Sequence, residues 1–403
     1  MRRLFLATLA STTIACLSAG CATSFKASTP DGAAKASNAF GFDFYREVRQ
    51  GQDNLVCSPA GAAIALTMVA AGARGQTQAE MLHALHIEPA NLDQTYASFA
   101  GVLSALKERD GKDGLVLTVA DRVWIQKGRS LVPQYESLLR DPFRAPIMQL
   151  DFVKENQAAL EAINQWASDE THGRIPKVLE SVEGPLVLAN AIYMLGEWQQ
   201  PFAESATADD KFTTAAGKTS VKMMKQISGF RYAQVRGAKL VELPYKGGLS
   251  MIVVLPDSVD GLETIEDRIG SSYAEWIQAL EHHQVDLKLP HFTTKTDLNM
   301  IGPLQKLGIH EAFQEDGADF SGMTGGKGLR IGKALQKAWI ETSEKGTEAA
   351  AVTVIEMVND SLTLGPEPPP PVVFHADHPF MYLIRDWKSG VILFIGRVVE
   401  PAG

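Results

Sequence analysis

The sequence predicts an α+β fold, with helices gathered in the N-terminal part and long strands in the remainder. Apolar residues recur at helical spacing before residue 85 and again at 159–166. From residue 186 onward they come instead as alternating or continuous runs of strand length. Strand and helix units never alternate regularly, which argues against a parallel βα architecture in favour of large antiparallel or mixed sheets. No internal repeat is present; the full sequence has a globular composition, 45% hydrophobic and 21% charged, and residues 32–403 read as one folding unit.

The chain starts with Met1-Arg2-Arg3, followed by a mostly apolar stretch over 4–17 that is too short to span a bilayer comfortably. Ser18-Ala19-Gly20 supply the small residues a signal peptidase needs, so 1–20 is expected to be a signal peptide. These residues end at Cys21 and resemble the lipobox of bacterial lipoproteins, although Leu17 lies one place further from the cysteine than the usual pattern. The resemblance implies an exported protein whose lipidated Cys21 anchors it to a membrane, in the periplasm or at the cell surface, with simple secretion as the alternative. Several acyl chains on one cysteine hold stably where a single chain does not. Residues 21–31 then form a tether. With Cys16 removed and Cys21 lipidated, Cys57 remains as one thiol, expected to be a small buried hydrophobe.

Ala36, Phe40, Phe44 and Val48 recur every four residues and predict a first helix over 34–48. Ser58 is placed as an N-cap, with Pro59 at the first helical position. Residues 60–73 are apolar nearly all round, so that helix must be buried, and Gly75 is expected to end it. Thr77-Gln78-Ala79-Glu80 reads as a capping box opening a third helix. Residues 115–125 alternate as a strand, with Val119, Val123 and Ile125 on one side, and Ala159, Ile163 and Trp166 mark another helix. Strands are expected at 186–193, 221–224, 230–235 and 285–289 and from 374 to the end. Residues 240–243 and 250–256 form a hairpin around Lys246-Gly247-Gly248. Pro366 and Pro368 to Pro371 give one extended, polyproline-like segment. Residues 344–353, Glu-Lys-Gly-Thr-Glu-Ala-Ala-Ala-Val-Thr, have small side chains and mixed preference: the alanines favour helix, while the following Val354 and Ile355 favour strand. On composition alone this is a surface linker.

A net charge of -9 without a basic cluster argues against a nucleic-acid footprint. The sequence contains no Gly-x-Ser-x-Gly elbow, no His-Glu-x-x-His and no Cys-x-x-Cys. Gly325-Gly326-Lys327-Gly328 has the wrong spacing for a phosphate loop and reads as a turn. His282 and His283 are adjacent, so their side chains point apart and make a poor metal site. No enzyme, cofactor or metal is expected.

Several motifs, weak singly but specific in their order, resemble the serpin family over residues 32–403. They include Asn54-x-x-x-Ser58-Pro59, Ile163-Asn164-Gln165-Trp166 with Thr171-His172-Gly173, and Asn190-Ala191-Ile192-Tyr193 with Gly196-Glu197-Trp198. Leu243-Pro244-Tyr245, Leu307-Gly308-Ile309, Ala318-Asp319-Phe320-Ser321-Gly322 and His378-Pro379-Phe380 follow. The resemblance implies helices around three β-sheets and an exposed reactive-centre loop over 344–373. It implies an inhibitor of serine proteases, or of papain-like cysteine proteases, that acts as a monomer. A protease attacks the loop and forms an acyl-enzyme. The cleaved loop then enters the main sheet as a new strand, this family's established example of strand addition. A non-inhibitory serpin-fold binding lipoprotein is the alternative.

The resemblance assigns the hinge to Glu344, Gly346, Thr347, Glu348, Ala349, Ala350 and Ala351. In a strand, Thr347, Ala349, Ala351, Thr353, Ile355 and Met357 share one face and Glu348 and Glu356 fall on the other. If the first face packs inward, insertion buries no ionised group, a burial that would cost several kcal/mol without a partner. No proline interrupts 344–364, so every residue there can donate to a ladder. Family spacing from Glu344 puts the scissile bond at Asp360-Ser361. Counting back from Phe374 allows a later site, because the proline-rich segment lengthens the loop; Met357, Val358, Leu362 and Leu364 are the alternatives, which would suit elastase-, chymotrypsin- or subtilisin-like proteases. No Arg or Lys lies between Gly346 and His375, which argues against a trypsin-like target. The gate through which the sheet opens maps onto Ser58, Asn190 and Gln336, with Trp198 near the point of loop entry. Gln336 occupies a histidine position, so pH-dependent opening is expected to be lost. Gly61 stands where a second serine is common.

Overall fold

The computed structural model describes residues 31–49, 51, 53–347 and 369–401. The expected signal peptide, Cys21 and the tether up to residue 30 lie outside them. So do Glu348, Ala349, Ala350, Ala351 and all the scissile-bond candidates: Met357, Val358, Asp360, Ser361, Leu362 and Leu364.

The first half of the chain runs α1 (Asp31–Val48), β1 (Leu55–Cys57), α2 (Pro59–Gly72), α3 (Gly75–Ala84), α4 (Leu92–Lys107) and β2 (Leu115–Gln126). It continues through α5 (Pro133–Arg140), β3 (Met148–Leu150), α6 (Asn156–Glu170) and β4 (Leu186–Glu197). The second half opens with four antiparallel-paired strands, β5 (Ala208–Thr214), β6 (Gly217–Val235), β7 (Ala238–Pro244) and β8 (Leu249–Pro256). Then come α7 (Leu262–Asp267), α8 (Ile269–Ala279), β9 (Glu281–Pro290), β10 (Phe292–Asn299), α9 (Ile301–Lys306) and α10 (Ser321–Thr324). The last strands are β11 (Ile331–Ser343), β12 (Gly346–Thr347), β13 (Val372–His375), β14 (Phe380–Asp386) and β15 (Ile392–Val398).

A six-stranded mixed sheet has the order β10-β11-β12-β4-β2-β3. The other strands form β1-β15-β14-β8-β7-β6-β9-β13, with β5 added on β6. Among the described residues these are two hydrogen-bonded arrays rather than the expected three sheets. The reason is β6, whose 19 residues pair with β5, β7 and β9 and weld two sheets together. The expected pair of strands at 221–224 and 230–235 is therefore one.

The apolar α2 lies at the centre, packed against β2, β4 and β15, with 13 of its residues buried. Ser58 caps it as expected, its Oγ accepting from the Gly61 amide at 3.0 Å. The helix ends at Gly72, before the expected Gly75, which instead starts α3. The expected capping box is not formed. Thr77 Oγ1 accepts from the Asp319 amide at 2.9 Å, and Glu80 accepts from the His310 and Glu311 amides, both at 2.8 Å. Both side chains thus tie α3 to a distant turn.

On the opposite face of the six-stranded sheet, α6 forms a second core. Ile163 and Trp166 pack there with Val187, Ala189 and Ala191 of β4 and with Trp124 of β2. Leu186, Leu188, Ile192 and Met194 face the main core. Burial on both faces is why β4 reads as a continuous apolar run.

Candidate functional site: the seam between β4 and β11

β4 and β11 pair in parallel from Leu186↔Ile331 to Tyr193↔Trp339. Beyond Trp339 the strands part, and β12 fills the wedge, antiparallel to both. Thr347 pairs with Thr342 and Gly196, and Gly346 with Ser343 and Glu197. The first two strand residues of the hinge are therefore already seated in the sheet. Alternate residues of β11, from Ala334 through Gln336, Ala338, Ile340 and Thr342, are buried on the main-core face. Directly paired residues share a face, so Thr347 points inward with Thr342. It is fully buried, and its Oγ1 lies 2.7 Å from the Tyr245 hydroxyl.

Trp198 organises this end. Its indole stacks on Tyr245, with centroids 4.3 Å apart and planes 12° apart. Its Nε1 donates to the Ser343 carbonyl at 2.9 Å and its amide to the Lys345 carbonyl at 2.8 Å. The Phe202 amide donates to the Glu344 carbonyl at 2.9 Å. Gly346 has φ +148°, and a Cβ there would collide with the Gly196 carbonyl oxygen, so only glycine fits.

Glu344, at the turn into the expected hinge, sits with Oε1 2.9 Å from His291 Nε2. Burial by itself would push the Glu344 carboxyl up. The neighbouring Thr207 hydroxyl, its own amide and the His291 ring outweigh burial and hold it below the usual carboxylate range. An acid held low in the folded state contributes stability above its unfolded pKa of about 4.3 that is lost as pH falls through the folded value. Acidification below about pH 4 is expected to loosen the hinge. The readout is a tryptophan fluorescence change that is missing from a Trp198→Phe control and flattened by Glu344→Gln.

Midway down the seam, the expected gate residues are joined directly. Gln336 Oε1 accepts from the Ser58 amide at 2.8 Å. Its Nε2 donates to the Ser58 carbonyl and to Asn190 Oδ1, both at 2.9 Å. One neutral amide thus ties β11 to β4 and to the start of α2. The Asn190 side chain lies where a Cβ-borne group at position 61 would be, which accounts for Gly61.

The chain of bonds continues one residue beyond Ser58, Asn190 and Gln336. Asn190 Nδ2 donates to Asp121 Oδ1 on β2 at 2.8 Å, while Asp121 Oδ2 is buried without a partner. The cluster of expected gate residues therefore adjoins a titratable side chain, Asp121, beside the neutral Gln336. The strand alternation already placed Asp121 on the inward side with Val119, Val123 and Ile125, and that was the available signal. Tyr245 carries no signal beyond its Leu243-Pro244-Tyr245 motif and His291 carries none, because their partners Thr347 and Glu344 come from chain far away.

Among the other candidates, Cys57 is buried and free, and burial pushes its thiol up. His282 and His283 are exposed at successive positions of β9. No cluster of metal-ligating side chains occurs among the described residues.

A family model described as Serpin (serine protease inhibitor) matches residues 35–401. The chain is 32% identical to an uncharacterized serpin-like protein of Thermococcus kodakarensis, over 91% of this chain and 85% of that one. It is also 32% identical to the leukocyte elastase inhibitor of Homo sapiens, over 91% of this chain and 98% of that one. The solved structure of human thyroxine-binding globulin superposes with a TM-score of 0.84 at 26% identity, covering 93% of this chain and 100% of that one.

Proposed function

The chain belongs to the serpin family, and we propose that it is a suicide-substrate inhibitor of serine-type proteases. The family comprises inhibitors and binding proteins, so no enzymatic activity is assigned. A protease would cleave the loop between residues 357 and 365, and the freed N-terminal limb would enter the seam between β4 and β11 with the acylated protease attached.

One observation supports this reading above the rest. β12 already lies between β4 and β11 in the orientation an inserted strand needs, with Thr347 on the core face. The residues that would follow Thr347 on that face, Ala349, Ala351, Thr353, Ile355 and Met357, are uncharged. Each added ladder bond nets about 1 kcal/mol, and burial of these side chains adds to it.

Targets of elastase-, chymotrypsin- or subtilisin-like specificity fit the apolar candidates Met357, Val358, Leu362 and Leu364, whereas Asp360-Ser361 would need an acid-directed protease. We place the protein outside the cytoplasm, anchored through Cys21. Incubation with elastase, chymotrypsin and subtilisin is expected to yield an SDS-stable complex with at least one of them. Mass spectrometry of the released C-terminal peptide would locate the bond. Clean cleavage by every protease, with no complex, would sink the proposal.

The replacement of the gate histidine by Gln336 favours a second reading, a non-inhibitory serpin-fold binding lipoprotein. That reading predicts no rise in melting temperature after the loop is cut.

A further inference from the structure

The gate contains one buried carboxyl for which neither the sheet nor the helix beneath it provides a countercharge. From β4, Asp121 meets the neutral Asn190. Beyond Asn190 lie Gln336 of β11 and the Ser58 backbone at the start of α2, also neutral. Its neighbour Arg122 serves the other face, over the Trp166 ring and 3.6 Å from Glu170 of α6. Lys107, exposed at the end of α4, acts on Asp121 through its field without forming an ion pair. One carboxyl oxygen is hydrogen-bonded and the other has no partner. An ionised carboxylate in this place is an incompletely paired buried charge, and water reaching it through an opened seam would relieve the penalty.

We propose that Asp121 is a positioning residue of the gate: with its proton the seam stays shut, and without it the seam opens more readily, so that loop entry is set by pH. The proposal rests on the inhibitory reading for its purpose but not for its measurement. Burial pushes the Asp121 carboxyl up to about 7, against the pull of the Asn190 hydrogen bond and the Lys107 charge. An unfolded aspartate titrates near 3.9. Between these values the folded state holds a proton that the unfolded state lacks, so the closed form loses stability as pH rises through this window and levels off above it.

Opening can be measured on the full chain without any protease. Hydrogen exchange of the β4 and β11 amides, corrected for the intrinsic pH dependence, reports the seam directly. Annealing of a synthetic peptide copying residues 347–358 reports its capacity to take a strand. From about pH 5.5 to about pH 8.5 both are expected to rise about tenfold or more, with a midpoint near 7. Asp121→Asn, which keeps an oxygen to accept from Asn190, is expected to stay at the slow, low-pH level throughout. The same rise in Asp121→Asn, or no rise in the unmodified protein, would overturn the proposal. Should the variant not fold, the carboxyl carbon shift of Asp121 in the unmodified protein decides the matter: titration near 7 supports the proposal and titration wholly below about pH 5 overturns it. Failure to trap any protease while the seam still responds to pH would count against the inhibitory reading alone.

Discussion

On the proposed inhibitory function, replacing Thr347 by arginine is expected to convert the protein from an inhibitor into a substrate of its target protease. Thr347 is fully buried between β4 and β11, and its hydroxyl meets the neutral hydroxyl of Tyr245. Holding an unpaired charge there costs several kcal/mol. Each 1.4 kcal/mol on the insertion step shifts the competition with hydrolysis about tenfold. Cleavage should then outrun insertion, and the stoichiometry of inhibition should rise by at least about tenfold. The gel would show cut protein in place of the complex, at an unchanged rate of first attack. A variant that still forms the complex at the original stoichiometry would mean that insertion does not begin at Thr347.

Gly346→Ala is expected to have the second largest effect, and on the uncut protein. Its φ of +148° disfavours any side chain, and the added Cβ would strike the Gly196 carbonyl. Backbone strain and overpacking together place the cost at about 2–4 kcal/mol. The hinge can relieve it only by withdrawing from the wedge, which breaks the Thr347 contact and exposes Trp198. A lower urea midpoint with red-shifted tryptophan emission would be the signature. An unchanged midpoint and spectrum would show that the hinge is not held in the wedge in solution.

Much of this was legible in the sequence, for reasons that can be named. The unbroken apolar run after Ser58-Pro59 marked a central helix, and the run at 186–193 marked a strand covered on both faces. Residues 92–107 carry a helical stripe at Tyr96, Phe99, Leu103 and Leu106, all buried, which marks α4 although the expected elements do not include it. The two-residue β12 had no signature of its own, because the gap between its neighbours defines it. Glu80 misled because a capping box and a long-range anchor use the same residue types. Ser58, Asn190 and Gln336 could be grouped only by family resemblance, since 132 residues separate the first two and 146 the second pair. Asp121 is visible in the sequence as an acid on the apolar strand face of Val119, Val123 and Ile125.

The registers around β12 have a last consequence. The pairing β12 keeps with β11, the pairing it keeps with β4 and the pairing of those two strands with each other are all in step. A strand lengthening from Thr347 would meet matched partners on both flanks without slipping. Ala349 would fall between Ile340 and Met194, and Thr353 between Gln336 and Asn190, where its hydroxyl would replace the bridging amide. The step is broken by the irregularity between Ile331 and Lys333, so Glu356, opposite Lys333 and Val187, is the last residue served on both sides. The seam is thus a ruler of about ten residues. On the proposed function, a strand added along it would carry whatever is attached to its far end about 30 Å down the seam.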